Sequence, residues 1–259
     1  MQQTLAEIGQ EFDTDKTQSP GYIDNYERCF GPLRGAPVRL LELGVYRGGS
    51  LLMWRNYFPN GLIIGLDMQP NPLETMPDRV RFYQGSQSDE ALLNLIAREC
   101  APDGFDIVID DAAHVGTIAR DSFHILFERH LKPGGIYVIE DWGTGYWESW
   151  SDGSSYRAVR GDGAAQPDEA PALRTRLATW LGRIQPARST RSIDPDFAAH
   201  NFGMVGFVKE LVDEVAWGDV THPERGNKAL PRRVSMIREM AISHGQVMIV
   251  KASFSCAER

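Results

Sequence analysis

Val38-Arg39-Leu40-Leu41-Glu42-Leu43-Gly44-Val45-Tyr46-Arg47-Gly48-Gly49-Ser50 runs from an apolar strand through a glycine turn into a helix. The apolar run up to Glu42 suits a buried strand, and residues 51–57 repeat apolar positions at helical spacing. The glycines between them let backbone approach a ligand closely, and the helix start offers free N–H groups. Three more apolar runs also end in acid: Leu62-Ile63-Ile64-Gly65-Leu66-Asp67, Phe105-Asp106-Ile107-Val108-Ile109-Asp110-Asp111 and Ile136-Tyr137-Val138-Ile139-Glu140-Asp141. A further strand is expected at residues 80–83. Asp89 caps a helix running through Glu99, and another helix is expected at 115–129, followed by a Lys132-Pro133-Gly134-Gly135 turn. Strands alternating with helices predict βαβ units with right-handed crossovers. The fold class expected is α/β: a doubly wound, Rossmann-like, seven-stranded, mostly parallel sheet. A C-terminal antiparallel hairpin, residues 234–242 and 246–251 around Ser243-His244-Gly245, supplies its last two strands.

Residues 1–36 read as an N-terminal helical extension broken at Pro20-Gly21 and Gly31-Pro32, and residues 37–259 as the main domain. Within it, residues 142–170 scatter Trp142, Tyr146, Trp147, Trp150 and Tyr156 among Gly, Ser and Asp. That texture predicts a mobile loop or lid with no packed element. Helices are expected at about 171–184 and 196–216. With 259 residues, 42% hydrophobic and 24% charged, the chain has the composition of a soluble globular protein. A net charge of −8 argues against binding a phosphate backbone. No apolar run approaches the ~18 residues of a membrane span, and residues 1–16 carry no secretory h-region. Cys29, Cys100 and Cys256 are widely spaced and odd in number, which fits a reducing cytoplasm and no disulfide framework.

The acids carry the functional reading. Ligands of open parallel sheets bind outside the carboxyl ends of the strands, so these carboxylates crowd one crevice. Crowded like charges raise one another's pKa and call for cations or hydroxyls. A cofactor ribose, a sulfonium and a divalent metal would meet that need together. Asp67 is placed to accept ribose hydroxyls. Gly85-Ser86-Gln87-Ser88-Asp89 either frames an adenine edge or is a loop with a helix cap. Strands ending in Asp111 and in Glu140-Asp141, if adjacent, lie about 4.8 Å apart and bring three carboxylates to one cation. All-oxygen ligation favours Mg²⁺, Mn²⁺ or Ca²⁺ over Zn²⁺. His114 either faces that cation without ligating it or is a surface histidine at a helix start. The glycine turn is not GxGxxG, which speaks against a nucleotide-binding oxidoreductase.

A wider set of residues carries a resemblance. It starts at Asp13-Thr14-Asp15-Lys16 with Tyr22 and Tyr26, and continues through Leu41-Glu42-Leu43-Gly44, Gly48-Gly49-Ser50-Leu51, Met53-Trp54-Arg55 and Ile64-Gly65-Leu66-Asp67. Gly85-Ser86-Gln87-Ser88-Asp89, Ile109-Asp110-Asp111, His114, Pro133-Gly134-Gly135 and Ile139-Glu140-Asp141 complete it. Together they resemble class I S-adenosylmethionine-dependent O-methyltransferases, and more narrowly the metal-dependent sugar O-methyltransferases of antibiotic biosynthesis. The resemblance implies S-adenosyl-L-methionine and Mg²⁺ (or Mn²⁺) as cofactors. It implies cofactor contacts at Glu42, Gly44, Tyr46, Ser50, Asp67, Gln87, Ser88 and Asp111, metal ligands Asp111, Glu140 and Asp141, and His114 as general base. The expected partners are a sugar-containing small molecule and further copies of the chain in a homo-oligomer, with neither nucleic acid nor membrane. Alternatives are a catechol-type O-methyltransferase and a non-catalytic cofactor-binding partner of a hydroxylation or methoxylation system.

Overall fold

The computed structural model describes residues 2–160 and 200–253, apart from the side chains of 157–160. Its strands are β1 (Arg39–Leu43), β2 (Leu62–Asp67), β3 (Val80–Gln84), β4 (Phe105–Asp110), β5 (Leu131–Ile139), β6 (Ile237–Ile242) and β7 (Val247–Lys251). They form one sheet in the order β3-β2-β1-β4-β5-β7-β6. The first five are parallel, and β7 runs antiparallel to both β5 and β6. The doubly wound, Rossmann-like sheet expected from the alternating pattern is present. The chain leaves β1 in one direction to build β2 and β3, then returns to add β4 and β5. The crevice between β1 and β4 is therefore the switch point at which such sheets bind ligands.

The pleat sends alternate residues of each strand to opposite faces. Leu41, Leu43, Ile64, Val108 and Tyr137 pack under α4 (Glu90–Cys100), α5 (Gly116–Phe123) and α7 (Gly203–Val215). Leu40, Ile63, Ile107 and Val138 face α1 (Leu5–Glu11), α2 (Tyr22–Phe30) and α3 (Gly49–Tyr57). Both faces are covered, which explains strands that read as nearly continuous apolar runs. The N-terminal helices belong to this second layer. The Tyr26 and Phe30 rings lie 4.9 and 5.7 Å from Trp54, edge-on, contacts worth about 0.5–1.5 kcal/mol each beyond burial.

Four local expectations are corrected. Strand β4 stops at Asp110, one residue before Asp111. The glycine-rich stretch 132–135 lies within β5, taken up by a register shift opposite Phe105 and Ile107. The helix expected at 115–129 is α5 followed by a wider π-helical segment, His124–His130. Residues 142–160 are not an unpacked loop: Trp142–Tyr146 is a 3₁₀ turn and Ser151–Arg160 is helix α6. The reason is Asp152, which composition hides. Its buried carboxylate accepts from Gly116 N at 2.8 Å and Met204 N at 2.7 Å, tying α6 to the starts of α5 and α7. Residues 161–170, the helix expected at 171–184 and residues 196–199 of the next helix lie outside the described residues. The hairpin is present as β6 and β7.

Candidate functional site

A cavity of about 790 Å³ opens at the carboxyl ends of the parallel strands. Gly44, Tyr46, Ser50, Asp67, Gln87 and Asp111 contribute to its wall, with His114, Asp141 and Trp150 along the side toward β5. Backbone strain is concentrated here. Among the described residues, five non-glycine residues have a left-handed φ: Asp13, Tyr46, Arg79, His114 and Asp141. All but Arg79 line the cavity. Such conformations cost free energy and persist where the surroundings impose them, commonly at functional sites.

Gly44 is the residue that permits the crevice. It has φ +84°, and a Cβ there would sit 2.1 Å from the Asp111 carbonyl oxygen. Strand β1 can approach the end of β4 only without a side chain. Asp67 ends β2 and turns its carboxylate toward the glycine turn, accepting from Val45 N at 2.7 Å, Tyr46 N at 3.1 Å and Gln69 N at 2.8 Å. Gln87 is held by Asp110 and Ser122 through its Nε2, and its Oε1 accepts from Ala113 N at 2.8 Å. The loop carrying His114 is thus pinned from behind. Asp110, counted from sequence among the crevice acids, points away from the crevice into this buried network with Gln87, Ser122 and Tyr137.

The remaining acids divide into two groups. On the cavity side, Asp111, His114 and Asp141 each present a ligand atom, all within 4.8 Å of one another. His114 Nε2 is 3.7 Å from Asp111 Oδ1 and 3.9 Å from Asp141 Oδ2. The Tyr22 hydroxyl donates to Asp141 Oδ1 at 2.5 Å, and the Trp150 ring stands edge-on to His114 at 5.2 Å. Burial, with help from the Asp141 hydrogen bond, pushes the Tyr22 phenol well above its usual pKa. Behind this group, Lys16 is inserted from the N-terminal segment. Its Nζ lies 2.8 Å from Asp111 Oδ2, 2.9 Å from Glu140 Oε1 and 3.3 Å from Glu42 Oε1. The Tyr26 hydroxyl donates to the same Glu140 oxygen. Burial opposes the Lys16 ammonium, but Asp111, Glu140 and Glu42 outweigh it and hold its pKa well above the ordinary lysine value. Burial and then the Asp111 charge push Glu140 up, because one ammonium cannot neutralise three carboxylates.

Of the residues read from sequence, Gly44, Tyr46, Ser50, Asp67, Gln87, Asp111, His114 and Asp141 meet at the cavity. Glu42 does not reach its wall. It is fully buried, accepting from Ser50 Oγ at 2.7 Å and Trp54 Nε1 at 3.3 Å. Glu140 sits in the buried group, apart from the Asp111–His114–Asp141 trio. Ser88 is exposed, paired with Ser86 Oγ at 2.9 Å, and it is Ser86 that lines the cavity. Lys16, Tyr22 and Tyr26 are site residues whose contacts sequence reasoning missed. Their sequence signal was their place at the start of the resemblance and the spacing of two tyrosines four residues apart, one helical turn, neither of which names a partner. A second cavity, about 710 Å³ at the opposite end of the sheet, is lined by Arg129, paired with Glu90, Lys132, paired with Asp106, and Lys251, which donates to the Glu128 and Leu131 carbonyls.

The sheet order and the crevice at its switch point are those of the Rossmann-like methyltransferase fold. No protein-family model matches the chain. It is similar to the mycinamicin VI 2''-O-methyltransferase of Micromonospora griseorubida, 45% identical over 134 residues, which is 49% of the chain and 32% of that protein. It is also similar to the demethylmacrocin O-methyltransferase of Streptomyces fradiae, 40% identical over 51% of the chain and 34% of the relative. The alignments thus span about a third of these relatives' length. Among solved structures, MycE methyltransferase from the mycinamycin biosynthetic pathway, in complex with Mg and SAH, superposes with a TM-score of 0.67 at 28% identity. That match covers 97% of the chain and 55% of MycE. The resemblance to antibiotic-sugar O-methyltransferases read from the sequence holds. Among the described residues, no helix is long and apolar enough to cross a membrane.

Proposed function

We propose that this chain transfers a methyl group from S-adenosylmethionine to a sugar hydroxyl of a natural-product glycoside or nucleotide sugar, with a divalent metal and His114 as general base. The observation that carries this reading is the convergence of Asp111, His114 and Asp141 within 4.8 Å on the wall of the cavity. Support comes from the similarity to the two sugar O-methyltransferases and from MycE, which has been solved with Mg, SAH and mycinamycin VI.

Two carboxylates facing a cavity beside one imidazole fit a hard divalent cation, which prefers oxygen. Asp111 and Asp141 would hold it; Glu140, the third ligand the resemblance implies, is engaged by Lys16 and Tyr26 behind them. Bound there, the ion would lower the pKa of an acceptor hydroxyl and orient it. Asp67, Gly44, Tyr46, Ser50 and Gln87 would bind the cofactor, with Glu42 bracing Ser50 from behind. In the transfer, the acceptor oxygen forms a bond to the methyl carbon as the carbon–sulfur bond breaks. The hydroxyl proton passes to His114 Nε2, and the sulfur leaves as neutral S-adenosylhomocysteine. His114 is aimed for this by its strained backbone and by the Trp150 ring against it. Positioning of nucleophile and methyl in line supplies the remainder.

The test is methylation of a glycoside with free sugar hydroxyls, followed by mass spectrometry. EDTA should abolish turnover, and Mg²⁺ should restore it. Full activity after exhaustive EDTA dialysis refutes the metal. Methylation of simple catechols with glycosides untouched moves the protein to the catechol class.

A further inference from the structure

Lys16 is a puzzle that the proposed chemistry does not use. It is 2% exposed, comes from the segment before β1, and its ammonium touches carboxylates at the ends of three strands, β1, β4 and β5. A lysine is rarely buried unless paired, and here it is paired three times over. Its backbone is fixed where it enters: Thr14 Oγ1 accepts from Lys16 N at 3.4 Å and starts a 3₁₀ turn, Asp15–Thr17. Tyr22 and Tyr26, one turn apart on α2, then bond Asp141 and Glu140. Among the described residues, the segment 14–26 thus supplies every side-chain hydrogen bond to Asp111, Glu140 and Asp141, while Ser50 and Trp54 serve Glu42.

We propose that Lys16 is a positioning residue: its ammonium is the built-in countercharge of the acid cluster. It holds Asp111 Oδ2 and Glu140 Oε1 inward, so that Asp111 Oδ1 and Asp141 Oδ2 are left for one divalent ion. The inference rests on the metal site proposed above. It assigns the N-terminal segment a job at the reacting centre, where from sequence these residues had a place in the resemblance but no role. The ammonium aligns the site at a cost in metal affinity, since it shares Asp111 with the cation and repels it. Orientation and affinity therefore pull in opposite directions, which a merely structural lysine would not produce.

The experiment compares wild type with Lys16→Met, which keeps the length and flexibility of the side chain without its charge, and with Lys16→Met/Glu140→Gln, which also removes one negative charge. Mg²⁺ affinity is read by calorimetry on the cofactor-free protein, and stability by thermal unfolding. Lys16→Met should bind Mg²⁺ roughly tenfold tighter than wild type, because a nearby positive charge is gone. Its methyl transfer should nevertheless be slower. Equal or weaker Mg²⁺ binding overturns the proposal. If Lys16→Met does not fold, the double variant decides: recovery of a cooperative transition supports a charge role, and continued failure to fold overturns it. If wild type binds no Mg²⁺, the metal site of the proposed function falls. The role of Lys16 is then judged on stability alone, and a double variant no more stable than Lys16→Met sinks it.

Discussion

Glu140 and Asp141 are neighbours in the chain, yet they live in different media. Glu140 is 2% exposed and bonded to Lys16 and Tyr26, in the dry half of the acid cluster. The Asp141 side chain is 42% exposed, has φ +52°, and faces the cavity with His114. Asp110 and Asp111 repeat the contrast at the end of β4, one turned into a buried network and the other into the site. In each pair the two side chains part at or just past the strand end, so carboxylate chemistry is divided between holding the structure and facing a ligand. An acid at a strand end is thus not by itself a site residue. The element packed on each face decides, and here that element is α2 with the turn before it.

The largest effect that would sharpen this comparison belongs to the wet half. His114→Ala should lower kcat by ~10²–10⁴-fold, the usual contribution of a positioned base, with cofactor affinity and melting temperature unchanged. Weakened cofactor binding with kcat intact would give His114 a different job. In the dry half, Glu140→Ala should cost about 2–3 kcal/mol of stability in denaturant unfolding, because Lys16 and Tyr26 lose their shared acceptor inside the protein. Asp141→Ala should cost only about 1 kcal/mol, one hydrogen bond at a half-exposed position. Equal losses would erase the distinction between the halves. Asp152→Ala comes next, at about 2 kcal/mol, since it leaves the Gly116 and Met204 N–H groups buried without an acceptor. It should also raise acceptor KM, because Trp150, which stands against His114, immediately precedes α6. Smaller again, Asp67→Ala should weaken S-adenosylmethionine binding by about 1–2 kcal/mol in calorimetry. Smallest is Ser88→Ala. Ser88 is exposed and off the cavity wall, so cofactor affinity should stay within about 0.5 kcal/mol of wild type. A larger loss would return Ser88 to the cofactor site.

Much of the fold was legible because its signals are local. Apolar runs bounded by glycine and acid marked β1, β2, β4 and β5. Asp89 marked the start of α4, where its side chain accepts from Leu92 N at 3.1 Å. The hairpin was legible from its turn. Helix α6 was not, because Asp152 stabilises it through backbone groups 36 and 52 residues away. Such a contact leaves no periodicity to read. The site shows the same division. Gly44, Asp67, Asp111, His114 and Asp141 stand at strand ends, and a parallel sheet brings strand ends together whatever else the chain does. Ser88 read as well as Ser86, because sequence cannot say which serine of a turn faces inward.

The sequence by itself determined the strands, their acid termini and the crevice those termini share, because periodicity and glycine placement act over a few residues. Tertiary structure alone decided which acids are solvated. It decided that Lys16, 26 residues before Glu42 and 124 before Glu140, would fill the space among them. The reason is energetic: a buried cluster of like charges is tolerable only with an opposite charge inside it, and which distant residue provides that charge is set by packing.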